Sequence, residues 1–382
     1  MEKSIVALVR CDSYDPELVS EAVTRGARLL GGIEQFISKD EKILLKPNVL
    51  AGDGPERCVA THPAVLSAVI RLVREVTSNI AVGDSPGSRD VDLQLKGSGL
   101  ADVAEEMGIE IADFKEGKEV YYEDNPYIKK FLIANGVLES DGMISLPKMK
   151  THALTRMTGA LKNQFGCIPG RTKKTYHFTL PSSYDFSRML VSLTMAVRPR
   201  LYIMDGIKAM EGNGPRSGSP VRMNALLFST DPIALDAVMC RLADLKPEYL
   251  PSSKIGKEMG LGTWLDDEIR IVGDSLEDLV NRKYNVSRRP FRDLLPTGAV
   301  SLVKNLVIPR PVIDKNKCVI CGVCVNACPV EPKALNWKRG KATMPPEYTY
   351  LRCIRCYCCQ EICPEGAIFV KSSAFQPFRS ST

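Results

Sequence analysis

Tryptophan and histidine are scarce in this 382-residue chain, at two and three copies, so each histidine can be followed individually. No run of 18 or more apolar residues occurs, and the sequence therefore offers no membrane-spanning helix. Met1-Glu2-Lys3 leads straight into the apolar run Ile5 to Val9 without a signal-peptide core and cleavage site, so we read that run as a first strand and expect a cytoplasmic protein. A G-x-G-x-x-G segment opening a helix is missing, as is a Walker A sequence; nucleotide, flavin and nicotinamide binding have no fingerprint here. Low-complexity segments are also lacking.

Cysteine, by contrast, is plentiful. Of thirteen copies, eight fall in two quartets: Cys318, Cys321, Cys324 and Cys328 before Pro329, then Cys353, Cys356, Cys359 and Cys363 before Pro364. Each reads C-x2-C-x2-C-x3-C-P. Three thiolates on one tight loop can face three corners of a 4Fe-4S cube, while the fourth, released by proline, points to the other cube. The spacing assigns Cys318, Cys321, Cys324 and Cys363 to one cluster and Cys353, Cys356, Cys359 and Cys328 to a second. Zinc knuckles would need neither the third cysteine nor the prolines, and disulfides suit an oxidising compartment. This stretch, roughly 310–371, resembles the bacterial two-cluster ferredoxins. Cys11, Cys58, Cys167 and Cys240 read as buried or spare thiols, and Cys358, between two ligands, as a bystander.

The formal charge of +6 is uneven: residues 281–317 carry nine Lys/Arg against two Asp, leaving the rest near −1. Each oxidised cluster with its four thiolates adds about −2. Such a belt suits a solvated face or a dock for an acidic redox partner. Nucleic-acid binding would need interleaved aromatics, and Tyr284 and Phe291 do not supply them.

Residues 1–280 alternate apolar blocks with helical periodicity. Ile5–Val9, Ile43–Leu45, Ile80–Val82, Ile109–Ala112, Gly142–Leu146, Leu201–Met204, Ala225–Phe228 and Ile269–Val272 are continuous rather than alternating, as strands covered on both faces require. Helices are expected after Asp15-Pro16, after Thr61 as cap with Pro63, along Phe186–Val197, and after Asp231-Pro232. The fold class is thus α/β, a mostly parallel sheet flanked by helices, with a small C-terminal ferredoxin-like α+β module. The expected division is an α/β domain over 1–280, a basic linker over 281–312, the two-cluster module over 313–371 and a flexible tail over 372–382.

Ligands of open α/β sheets collect at the carboxyl ends of strands. There the sequence places Lys46-Pro47-Asn48, Gly83-Asp84, Lys148-Met149-Lys150-Thr151-His152 and Asp205-Gly206. Segment 147–177 adds Lys162, Asn163 and His177, and the lysines favour an anionic ligand. Histidine titrates near neutrality and a desolvated lysine can transfer protons, so Lys162, His152 and His177 are the candidate catalytic residues. Lys46, Asn48, Asp84, Lys148, Lys150, Asn163 and Asp205 are the candidate substrate-binding residues. Each could instead be a packing or surface residue. The Gly-rich loop Glu211–Gly218 reads as mobile, a lid over the same site, and Asp236 as a buried structural acid.

Lys46-Pro47-Asn48, Thr61-His62-Pro63, Gly83-Asp84-Ser85-Pro86-Gly87, PKMKTH and TGALKNQFG resemble the domain-of-unknown-function family 362 over roughly residues 1–275. Members often carry a C-terminal two-cluster ferredoxin domain, which implies an evolved pairing without supplying a reaction. The spacing of His152, Lys162 and His177 is also similar to the lactate racemase family, which carries a nickel-pincer nucleotide on a lysine; Gly159-Ala160-Leu161 here departs from that family's double glycine. The expected function is an iron–sulfur oxidoreductase passing electrons through two 4Fe-4S clusters to or from a small anionic substrate. The alternative is a non-catalytic electron-transfer or cluster-carrying protein whose α/β domain docks a partner enzyme.

Overall fold

The computed structural model describes residues 3–87, 90–170, 172–290, 308–340 and 342–371. The strands of its N-terminal region are β1 (Ser4–Arg10), β2 (Ile43–Pro47), β3 (Ile80–Val82), β4 (Glu110–Ile111), β5 (Gly117–Tyr121), β6 (Lys130–Ala134), β7 (Gly142–Leu146), β8 (Lys148–His152), β9 (Arg156–Thr158), β10 (Leu201–Glu211), β11 (Ser219–Ser229) and β12 (Ile269–Gly273). Among the described residues, ten of these form one sheet in the order β12-β1-β11-β10-β7-β2-β3-β4, with β8 paired to β10 and β9 to β8. Pairing is parallel except where β11 lies against β1 and β10, and where β9 returns along β8. Strands β5 and β6 make a separate hairpin.

The continuous apolar blocks serve two cores at once. Along β1, Ala7 and Val9 join the helices Pro16–Leu29 and Pro63–Arg74 on one face, while Val6 and Leu8 join Pro232–Leu242 on the other. Strand β10 divides likewise, with Leu201 and Ile203 on the first side and Tyr202 and Met204 on the second. Burying each such side chain contributes about 1.5–3 kcal/mol, so both layers are needed to hold the sheet. Asp15 caps its helix as expected, accepting from the amides of Glu17 and Leu18. The cap of the next helix is His62 rather than Thr61: His62 Nδ1 accepts from the Ala64 amide, while Thr61 Oγ1 accepts from Asn48 and donates to Leu146.

The cysteine-rich module has two small ladders, β13 (Arg310–Ile313) with β16 (Ile368–Lys371) and β14 (Leu335–Asn336) with β15 (Glu347–Tyr348), plus the short helices Val323–Ala327 and Cys358–Glu361. It rests on the carboxyl ends of the large sheet. Gln360 Nε2 donates to Asn213 O, Asn213 Oδ1 and Gly214 O at 2.9–3.0 Å, and Arg216 reaches Ile362 O at 2.8 Å. Tyr357 enters the aromatic cluster of Phe131, Phe165 and Phe186. The Gly-rich loop is therefore a seat for the module, anchored further by the Arg216–Asp53 ion pair, and not a free lid. Of the basic belt, Arg292 and the apolar stretch 300–307 lie outside the described residues, as does the tail beyond Lys371.

Candidate functional site

Three polar groups line the carboxyl ends of the central strands. In the first, Lys46 at the end of β2 pairs with Asp84 at 2.7 Å and donates to Asn163 Oδ1 at 3.1 Å. Asn163 Nδ2 and Gln164 Nε2 both donate to Ser145 Oγ on β7, the strand in register beside β2. Gly166 passes so close to Asp84 that a Cβ would overlap the carboxylate, which is why the chain has glycine there. Asp84 Oδ2 also accepts from the Val49 amide at 2.6 Å. Asn48, at the edge of this group, is half-buried, and its Oδ1 has no partner among the described residues.

The second group is built around Asp205 on β10. It accepts from Lys148 Nζ at 2.7 Å, from Tyr14 OH at 2.8 Å and from the His62 amide at 3.0 Å. Tyr14 stacks on the His62 ring at 3.5 Å, and burial pushes the His62 imidazole down to about 4. Between the two groups, Lys150 is buried with its Nζ on Val59 O at 2.5 Å. Burial, with Lys162 and Lys148 adding repulsion, lowers Lys150 to about 7.

The third group lies where the cysteine module meets the sheet. His152 ends β8, with Nδ1 accepting from the amides of Leu154 and Thr155, so the ring proton sits on Nε2. That Nε2 is 3.1 Å from Oε1 of Glu361, in the module's helix Cys358–Glu361. Burial alone would raise the Glu361 carboxyl, but His152, Lys162 and His177 together hold it well below the usual carboxylate range. Lys162, half-buried in the helix Ala160–Asn163, faces the rings of Phe165 at 4.9 Å and Phe186 at 5.8 Å; among the described residues its Nζ has no hydrogen-bond or ion-pair partner. Burial lowers its ammonium, against the pull of Glu361, Cys358 and Asp84. His177 stacks on Phe186 at 4.7 Å with Nδ1 unpartnered, and burial takes it down to about 4.

The structure thus gathers the expected residues along one sheet edge but divides them by partner. Lys46, Asp84, Lys148 and Asp205 neutralise one another. His152, Lys162 and His177 meet the module, and Lys150 faces only a backbone carbonyl. Four residues of the assembly were not anticipated. His62 and Tyr14 belong to the Asp205 group, Lys173 is buried against the carbonyls of Ser85 and Pro86 at about pKa 7, and Glu361 comes from between cysteines. His62 lay inside a noted motif; the others gave no local signal. Asp236 is buried as expected and accepts from the Ala160 and Leu161 amides, seating the helix that bears Lys162.

In the module, Cys318, Cys321, Cys324 and Cys363 line one cavity with Ile313, Ile320 and Ile368. Cys353, Cys356 and Cys359 are buried together nearby, with Tyr348 OH 3.2 Å from Cys359 Sγ, and Cys328 is half-buried. Four thiols converging on one apolar-walled cavity fit the donor set of an iron–sulfur cluster. Cys358 is half-buried in the same turn as Glu361, with its thiol free.

Comparison with known proteins follows this division. Residues 43–241 match a family described as a domain of unknown function (DUF362), and residues 310–364 match a 4Fe-4S dicluster domain. A thylakoid-associated protein of Synechocystis sp. is 34% identical over 257 residues, covering 67% of this chain and 79% of that protein. An uncharacterized ferredoxin of Methanocaldococcus jannaschii is 33% identical over 60 residues, 16% of this chain and 75% of its own length. Among solved structures, the lactate racemase apoprotein of Thermoanaerobacterium thermosaccharolyticum aligns with a TM-score of 0.38 at 12% identity, over 60% of this chain and 55% of that one.

Proposed function

The chain belongs to the family of the domain of unknown function (DUF362) and carries a ferredoxin-like, iron–sulfur-binding region, and from that premise we propose an oxidoreductase that passes electrons through two 4Fe-4S clusters to or from a small anionic substrate at the strand ends. The observation that carries this reading is the seating of the Cys358–Glu361 turn on His152, with Glu361 Oε1 3.1 Å from Nε2. A module that served only as a carrier would gain nothing from burying its cysteine loop against a row of lysines and histidines.

Cys318, Cys321, Cys324 and Cys363 would hold one cluster, and Cys353, Cys356, Cys359 and Cys328 the other. Such clusters, when bound, supply one-electron transfer at potentials set by hydrogen bonding and burial. The chain's own residues do the rest. Lys162, with no carboxylate in contact among the described residues, attracts the substrate anion; His152 offers the proton on Nε2; His177, neutral near pH 7, stacks on Phe186, which Lys162 also faces. Lys46–Asp84 and Lys148–Asp205 hold the strand ends in place. Among the described residues no helix is long and apolar enough to cross a membrane. The cysteine content suits a reducing compartment, and we propose the cytoplasm, with an acidic redox partner as electron donor or acceptor.

The test is Lys162→Ala in anaerobically purified protein. We expect about eight iron and eight sulfide per chain to persist and chemical reduction to proceed, while anion binding or turnover falls by at least about 100-fold, about 2.7 kcal/mol. Lys162→Arg should restore part of the loss if charge alone matters. Unchanged binding and turnover in the alanine variant would favour the carrier reading. On the ligand side, Cys321→Ser should lose one cluster and Cys358→Ser neither; zinc at two atoms per chain would overturn the assignment.

A further inference from the structure

Among the described residues, Glu361 is a carboxylate that the cysteine module sends to His152 at the end of β8. Its Oε1 sits 3.1 Å from the proton-bearing Nε2 of His152, and its charge pulls against the burial that lowers the Lys162 ammonium. Those are the two groups to which a substrate anion would have to present itself. The turn that carries Glu361 is held firmly. Neighbouring Gln360 is fully buried, with its amide nitrogen shared among three acceptors of the loop Asn213–Gly214.

The surroundings have more positive charge than the chain neutralises. Lys46 and Lys148 each contact a carboxylate at 2.7 Å, whereas Lys150 and Lys173 are buried on backbone carbonyls and Lys162 faces rings. Burying a cation without a counter-charge is costly, so such sites pair or await an anion. Glu361 is the counter-charge available from the docked module.

We propose that Glu361 is a resident occupant of a carboxylate-binding site, standing where the carboxylate of a small organic acid binds between His152 and Lys162. The inference rests on the proposed site and narrows its ligand from an anion to a carboxylic acid. The substrate carboxylate exchanges with Glu361, whose side chain turns aside while the anchored Cys358–Glu361 turn stays in place, and the site keeps one counter-charge when empty. Ligand entry and the position of the Glu361 side chain are then one event.

Acetate serves as the probe, with binding measured by calorimetry on cluster-loaded protein. Glu361→Ala should bind acetate at least about tenfold more tightly than the unmodified chain, because the competitor is gone. Adding Lys162→Ala should abolish that gain. Glu361→Gln, which retains the shape and hydrogen-bonding reach, should gain less than the alanine variant, and it substitutes as the test if the alanine variant loses iron. Equal acetate affinity in the unmodified chain and the Glu361 variants would overturn the proposal, as would a gain that survives Lys162→Ala. Either result leaves the Lys162→Ala turnover test unaffected, so the two readings fail separately.

Discussion

Two sets of buried lysines share the carboxyl edge of the sheet, and what separates them is the group each one faces. Lys46 and Lys148 have carboxylates at 2.7 Å, held by side chains fixed in turn by backbone amides. Among the described residues Lys150 and Lys173 meet carbonyl oxygens and no carboxylate, Lys173 also lying over the Phe165 ring at 5.8 Å, and Lys162 has aromatic faces. A paired buried cation is scaffold: removing its partner is expensive and its charge is unavailable to a ligand. An unpaired one is expensive to keep, and its retention calls for a reason outside packing. The same residue type thus does two jobs a few residues apart along β8.

The sharpest way to break this contrast is to remove one partner from the paired set. Asp205→Ala leaves Lys148 buried beside Tyr14 alone and should cost about 3–5 kcal/mol in urea unfolding. Lys162→Ala, removing an unpaired charge that is costly to keep, should leave the unfolding free energy unchanged or raised in the same assay. Comparable losses would erase the distinction.

A pH series sharpens it next. Lys150 and Lys173 are lowered to about 7 by burial, while a lysine in the unfolded chain keeps its proton to about 10.4. Between those values the unfolded state binds more protons, so their contribution to stability rises with pH and is lost as pH falls through about 7. Lys150→Met should flatten the rise in unfolding free energy between pH 7 and pH 9.5. Equal slopes in both proteins would show that Lys150 carries no unmet charge.

The smallest effect is expected at the surface, where lysine and arginine are solvated. Arg282 and Lys283 are exposed and line an open groove with Arg10 and Arg222. Arg288 is partly committed, pairing with Asp244 at 3.2 Å. If this face steers an acidic redox partner, stopped-flow electron transfer should slow as the Debye length falls from about 10 Å at 0.1 M salt to about 3 Å at 1 M. Neutralising Arg282 and Lys283 should reduce that slope, and a rate indifferent to salt leaves the belt a solvated surface.

The sheet was legible because its interior obeys a local rule. All eight apolar blocks contain strands; those of the sheet centre are buried on both faces and show no polar alternation, while the edge strands β4 and β12 are partly exposed. The segment Lys148–His152, which the sequence places beyond a strand end, is itself strand β8 and fully buried. Its lysines look like surface residues because what neutralises or receives them is remote: Asp205 lies 57 residues from Lys148, and Val59 lies 91 from Lys150. Glu361 was illegible for the same reason, being 209 positions from His152 and surrounded by cysteines that drew a different reading. Residue types and strand ends located the region of chemistry; which charges are spent on one another is decided by tertiary contact alone.

The sheet order has a consequence for how the protein is made. Strand β1 has only β11 and β12 as neighbours, and its closest partner in sequence begins more than 200 residues later. At a synthesis rate of about 5–20 residues per second, that strand waits on the order of ten seconds or more for a partner. Strands β2, β3 and β7 can pair earlier among themselves. A nascent chain therefore passes through a stage with part of the sheet built and one apolar strand unclaimed, and it is β11, the antiparallel member, that joins the halves. Long-range closure of this kind is slow and exposed to aggregation, so truncations just short of β11 should be chaperone-dependent in a way that truncations after β12 are not.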